Sequence, residues 1–201
     1  MSPQSAGDQS PPASIDAGDL RLRRWRAEDL DQLQQAVAAS IVELGAWLAW
    51  ANEDQAAQRG FLQTSSRAWD EGERFEYAVR LEGALVGGVG LMRRIGPGGL
   101  EIGYWVHSGH TRRGIAKLAS AALTGTAFEL PWVDHVEIHH DQANLASRAV
   151  PEGLGFELVE TLEKIPKAPS ESGLDLIWRL RREEFPASPA RALLGRPREQ
   201  G

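Results

Sequence analysis

Between residues 20 and 181, apolar side chains recur with two different periods, and the switches between them mark out the elements. Leu20 and Leu22 alternate with Arg21 and Arg23, the period-two pattern of a short strand with one buried face. Leu30, Leu33, Val37, Ile41, Leu44 and Leu48 follow at steps of three and four, which predicts one helix with a continuous apolar face. Glu28 and Asp29 place negative charge in its first turn, where the dipole favours it. Asn52, with Gln55 three residues on, supplies an N-cap for a second helix reaching Trp69, with Phe61, Leu62 and Trp69 turned inward. Residues 75–81, 84–93 and 100–106 are strand-like. Glu82-Gly83 and Gly96-Pro97-Gly98-Gly99 join them, which predicts an antiparallel meander. Residues 115–130 read as a helix of small side chains, 133–139 as a strand, 145–153 as a short helix with Pro151 kinking it, and 156–161 and 174–181 as two further strands. The order β-α-α-β-β-β-α-β-α-β-β predicts an α/β fold on a central mixed, mostly antiparallel sheet with helices on both faces. Strand, helix and strand over 100–139 make one parallel crossover.

Composition adds limits. The 201 residues suit one domain with a single core, 42% of them being hydrophobic. Residues 1–18, rich in Ser and Pro, predict a disordered N-terminal tail, and 183–201 a flexible C-terminal one. The net charge of −6 argues against nucleic acid or an anionic membrane as partner. No cysteine is present, which removes disulfides, zinc–thiolate sites and a cysteine nucleophile together. No apolar run approaches spanning length and the N-terminus lacks a basic-then-apolar leader, so the expectation is a soluble, cytoplasmic chain.

Candidate chemistry concentrates where a strand meets a helix, at Thr111-Arg112-Arg113-Gly114-Ile115-Ala116. The first N–H groups of a helix lack intrahelical partners and carry the positive dipole end, so this junction suits an anion. Gly114 leaves room for close approach, and Arg112 and Arg113 add charge. Gly109 and Gly114 have P-loop spacing, but Ile115-Ala116 stand where Lys and Ser/Thr belong. Gly88-Val89-Gly90 fails as a dinucleotide fingerprint, because it runs on into a strand. On this window alone, a plain helix start with two solvated arginines explains the residues equally well.

A wider window carries a resemblance. Glu101-Ile102-Gly103-Tyr104-Trp105-Val106, the turn, and Ala119-Ser120-Ala121-Ala122-Leu123 resemble the acetyl-CoA-binding segment of GNAT N-acetyltransferases. Val136-Glu137-Ile138-His139, Asn144-x-x-Ser147 and Gly153-Leu154-Gly155-Phe156 resemble the segment that follows it. The resemblance spans about residues 19–181, including Trp47-Leu48-x-Trp50, and points to the RimJ/RimL-like branch, which includes ribosomal-protein N-terminal acetyltransferases. It implies an N-acetyltransferase domain over 19–182. It also implies a cleft between two splayed parallel strands, acetyl-CoA as co-substrate and no metal. The pyrophosphate would lie on Thr111, Arg112, Arg113, Gly114, Ile115 and Ala116, and the pantetheine along Trp105 and Val106. Thr111 stands where the family commonly has Gln or Arg.

For the chemistry, Glu101 is the base candidate, the alternative being a strand glutamate paired with an arginine. Asn144 is an N-cap, and the resemblance adds a CoA contact. Ser147, one turn on, or water is the candidate to protonate the thiolate, since the tyrosine that many members of the resembled family use just after it is absent here. Trp47 and Trp50 divide between core and acceptor wall, and either His139 or His140, at the cleft mouth, is a candidate to assist proton removal, His139 also being a candidate acceptor contact. A metal reading of His135, Glu137, His139 and Asp141 fails on spacing, because alternate strand residues lie about 7 Å apart. Three functions stay open: acetylation of a protein N-terminal amine, acetylation of a small amine such as an aminoglycoside or amino acid, and a non-catalytic CoA-binding domain. A homodimer is left open.

Overall fold

The computed structural model describes residues 9–51 and 54–195. Eight strands form one mixed sheet: β1 (Ser14–Ala17), β2 (Leu20–Arg24), β3 (Arg74–Leu81), β4 (Ala84–Met92), β5 (Gly99–Val106), β6 (His135–Asp141), β7 (Glu157–Glu163) and β8 (Leu174–Arg181). Their spatial order is β1-β2-β3-β4-β5-β6-β8-β7. Every neighbouring pair is antiparallel except β5 and β6, which are parallel and joined through helix α4 (Ile115–Glu129). The predicted meander and crossover are both present, with strand ends moved by one or two residues.

Helices cover both faces. On one, α1 (Leu30–Ala38) and α3 (Gln55–Asp70) pack Leu33, Val37 and Leu62 with Trp25 against Ala78 and Leu85. On the other, α4, α5 (Leu145–Leu154) and α6 (Pro189–Leu194) enclose the larger cluster, with Leu91, Leu100, Ile102, Leu123 and Ile138 at its centre. The small residues of α4 let it lie close on the sheet. Arg182 then closes its far end, donating to the carbonyls of Phe128, Leu130 and Val133.

Four features depart from the sequence reading. The long first helix is broken: α1 ends at Ala38 and a short α2 (Ile41–Gly45) restarts beyond Ser40. Ser40 is buried with φ −123°. Its hydroxyl accepts from Ser108 N–H at 2.9 Å, while Ser108 Oγ donates to Ala39 O at 2.9 Å. A tertiary bond thus stops a helix that its apolar period would continue. The second helix starts on Asp54, which accepts from Ala56 and Ala57 N–H; the expected cap Asn52 lies outside the described residues.

The two expected tails are also corrected where they are described. Ser14–Ala17 is a strand, because its backbone finds the free edge of β2. Pro189–Leu194 is a helix with Ala190 wholly buried. It fits because Gly125 and Gly155 face it: a Cβ would stand 3.2 Å from Leu194 at the first and 2.5 Å from Pro189 at the second. Finally, Asp29 does more than favour a helix dipole. Buried, it accepts from Arg23 at 2.6 Å, from Arg80 at 2.7 Å and from Arg26 N–H at 2.9 Å, tying the start of α1 to β2 and β3.

Candidate active site

β5 and β6 are paired only from Gly99↔His135 to Ile102↔Ile138. Beyond that point β5 stays with β4 as far as Val106 and β6 stays with β8 as far as Asp141. The two parallel strands therefore fork, leaving the backbone of residues 103–106 without a strand partner on that side. β5 then leads through a 3-10 turn, Ser108–His110, to the start of α4.

That start is open. α3, α5 and α6 begin on side-chain caps from Asp54, Asn144 and Ser188, whereas α4 has none. Arg112 has φ 60° and Gly114 φ 75°, so the turn alternates through left-handed backbone and gathers successive N–H groups into a concavity that suits an anion. Thr111 through Gly114 are exposed, and nothing lies within 4 Å of where a Gly114 side chain would begin. Thr111 uses its hydroxyl to bond Ser108 O at 3.1 Å, bracing the turn. Ile115 is buried, so what it offers a ligand is its N–H.

Across the fork, Asn144 caps α5 by accepting from Ser147 N–H at 3.0 Å. Ser147 Oγ lies 2.9 Å from the hydroxyl of Tyr104, which also donates to Ser147 O. A tyrosine therefore does reach this position, from β5 instead of α5. Burial, partly offset by the bond to Ser147, pushes its pKa up to about 12.

On the opposite face, a cavity of about 500 Å³ lies beneath α1 and α3. Its wall includes Trp25, Leu33, Phe61, Trp50 and Trp105, and its floor is made of glycine. A Cβ on Gly88 would stand 2.5 Å from the Trp105 indole, one on Gly90 3.0 Å from Glu76 Cγ, and one on Gly103 2.9 Å from Met92. Trp50, 47% exposed, stands edge-on to Trp105 at 6.0 Å. Trp47 is half-buried and belongs neither to the core clusters nor to this wall. The expectation for Trp105 is corrected: its indole lines this cavity, and its backbone pairs with Gly88 of β4, as the His107 N–H to Val86 O bond and the register require; the backbone turned toward the fork is that of Tyr104 and Val106.

Glu101, 5% exposed, is gripped through both carboxylate oxygens by Arg94, with Nε to Oε2 at 2.6 Å. The arginine partner that the sequence allowed is present. His139, first residue of β6 beyond the fork, holds Glu137 Oε2 at 2.6 Å and has Glu101 at 3.8 Å. Arg179 closes the chain on Glu137 at 2.7 Å. Among the described residues, no group of three or more His, Cys, Asp or Glu converges on a metal position.

The model of the acetyltransferase (GNAT) domain family matches residues 19–157. The chain belongs to the GNAT acetyltransferases. Its sequence is 27% identical over 142 residues to the "Putative ribosomal N-acetyltransferase YdaF" of Bacillus subtilis (strain 168), covering 68% of this chain and 77% of that one. Its fold superposes on Mycobacterium smegmatis RimJ in complex with CoA-disulfide with a TM-score of 0.80 at 22% identity, covering 93% and 94% of the two chains. It also superposes on the Salmonella typhimurium acetyl transferase that modifies the N-terminal serine of the 50S subunit protein L7/L12. There the TM-score is 0.74 at 20% identity, with 85% and 97% covered.

In this GNAT acetyltransferase, sequence order hid the cavity floor and Glu76, because both depend on residues facing each other across strands. The one available signal was the pair of pocket-facing glycines in Gly88-Val89-Gly90. His139 makes a pH prediction. Burial alone lowers its pKa, but the bond to Glu137 and the charges of Glu101, Glu137 and Asp175 raise it above the ordinary value. A raised folded pKa stabilises fully below about pH 6.5, and that stability is lost as pH climbs through the folded value. The gap in melting temperature between wild type and His139→Asn should therefore be widest at pH 6 and shrink toward pH 9. A gap that widens with pH would contradict this pairing.

Proposed function

We propose that this enzyme transfers the acetyl group of acetyl-CoA directly to a protein N-terminal amine, in a ternary complex in the cytoplasm. The fork carries the reading: an uncapped helix start opens beside it and a glycine-floored cavity lies on its other face. The two substrates can thus approach one point from opposite sides. Acetyl-CoA supplies the activated thioester. The N–H groups of Arg112 through Ala116 hold its pyrophosphate, with the guanidinium charges of Arg112 and Arg113 beside them. The backbone of Tyr104 and Val106, turned toward the fork, offers hydrogen bonds to its amides. Asn144, whose Oδ1 is spent on the α5 cap, retains its NH₂ for the cofactor. Ser147 delivers the proton to the departing thiolate, and Tyr104 restores it. Glu101, with both oxygens on Arg94, orients the fork and His139 instead of meeting the amine itself.

An α-amine has a pKa near about 8 and a lysine near about 10.4, so an N-terminus needs less help to become nucleophilic. The likeness to the ribosomal N-acetyltransferase of Bacillus and to the Salmonella enzyme that modifies L7/L12 supports a ribosomal protein as acceptor. The test is thiol release from acetyl-CoA with peptides beginning in Ser, Ala or Thr against aminoglycosides and free amino acids. A CoA-induced rise in melting temperature is followed in parallel. Peptide turnover at least tenfold above the small amines is expected. The reverse preference would make the acceptor a small amine, and a thermal shift with no turnover would leave only a CoA-binding domain.

A further inference from the structure

Glu76 lies in β3 and, among the described residues, is the one acidic side chain lining the cavity. The strand register sets Glu76 opposite Gly90, and Gly90 opposite Gly103, the first residue of β5 beyond the fork. Two strand spacings, about 10 Å, separate Glu76 from Gly103; Gly90 between them carries no side chain, and Met92 reaches over Gly103. The Glu76 Cγ stands 3.0 Å from where a Gly90 Cβ would begin, so the side chain leans across the glycine floor.

The carboxyl is also incompletely satisfied. Oε1 has only a loose partner, Arg74 at 3.8 Å. Oε2 is buried with no hydrogen bond, and Ser65 of α3 stands close without reaching bonding geometry. Arg94, the remaining charge facing it, is committed to Glu101. A buried carboxylate oxygen without a donor is costly, and the structure keeps this one at the cavity floor.

Building on the proposed N-terminal acceptor, we infer that Glu76 is the carboxylate that receives it: the carboxylate accepts a hydrogen bond from the acceptor ammonium on its cavity side and takes its proton. Glu76 becomes the carboxylic acid and the nitrogen gains its lone pair. That pair forms the C–N bond to the thioester carbonyl as the C–S bond breaks, sulfur leaving with the electrons. Of the ammonium's three hydrogens, one rests on Glu76 before passing to solvent and one remains on the amide. The third reaches sulfur by way of water and Ser147. Burial already raises the Glu76 pKa, outweighing Arg74, Ser65 and Arg94, which lower it, so the group is more basic than an exposed glutamate.

The test uses the full chain with the peptide Ser-Ala-Ala-Ala-amide and its N-acetylated form. CoA-loaded wild type should bind the free-amine peptide at least tenfold tighter than the acetylated one, and Glu76→Gln should remove that preference. Glu76→Gln should lower kcat/KM about thirtyfold at pH 7 and less than threefold at pH 9.5, where an amine of pKa near 8 is already neutral. Glu76→Asp should recover part of the loss. CoA affinity and melting temperature should stay at wild-type values. A deficit equal at every pH, or none, overturns the assignment while wild-type turnover stands. A wild type that acetylates no peptide removes the N-terminal acceptor and this assignment together.

Discussion

Replacing Gly114 by valine is expected to weaken CoA binding several hundredfold while the protein still folds. Gly114 has φ 75°, a left-handed conformation that a β-branched residue resists at a cost of about 1–2 kcal/mol, and it borders an uncapped helix start. A Cβ there meets nothing within 4 Å in the free protein, so packing is spared. With a phosphate in the turn, that same space is taken. Calorimetric titration with CoA, beside a thermal melt, separates the effects. Wild-type affinity in Gly114→Val would place the cofactor phosphates elsewhere, and collapse of the melt would make the position structural.

Asp29→Asn is expected to cost about 3–5 kcal/mol, the usual result of removing one partner from a buried ionic cluster. Asp29 is 1% exposed and compensates both Arg23 and Arg80 while accepting from the backbone of Arg26. The variant leaves two guanidiniums without their charge partner beside a core. Asp16→Asn is the control, because its pair with Arg21 is open to water and should contribute less than about 1 kcal/mol. Equal losses for the two substitutions in urea unfolding would refute the cluster's role. Since Asp29 anchors the start of α1, which roofs the acceptor cavity, its loss should also raise the KM for the acceptor more than that for acetyl-CoA.

What could be read from the sequence follows from what is local. The meander from Arg74 to Val106 was legible because its turns, Glu82-Gly83 and Gly96 to Gly99, lie between strands of regular period. The α4 start and the Asn144 cap were legible because a helix terminus is specified by a few consecutive residues. Ser40 was not, since the apolar steps run straight through it and the bond that breaks the helix comes from Ser108, 68 residues on. Tyr104 reaching Ser147 is likewise a contact over 43 residues that no spacing announces. β1 and α6 escaped notice because short segments of small residues owe their order to the surfaces receiving them: the β2 edge, Gly125 and Gly155. The cavity floor is the hardest case, because Gly88, Gly90, Gly103 and Glu76 acquire meaning only through cross-strand register.

Arg182 has a consequence for how a protein of net charge −6 attracts a polyanion. The two ends of a helix carry opposite partial charges whose fields cancel at a distance. In α4 the carbonyl end is covered by a guanidinium, while the amide end is bare and flanked by Arg112 and Arg113. The helix therefore acts less as a dipole than as a single positive pole at the cleft mouth. The net charge of −6 repels a bulky polyanion at a distance. The local pole still captures a small one, so selectivity among anions is set before any shape is tested, and it should fade as salt shortens the reach of that field.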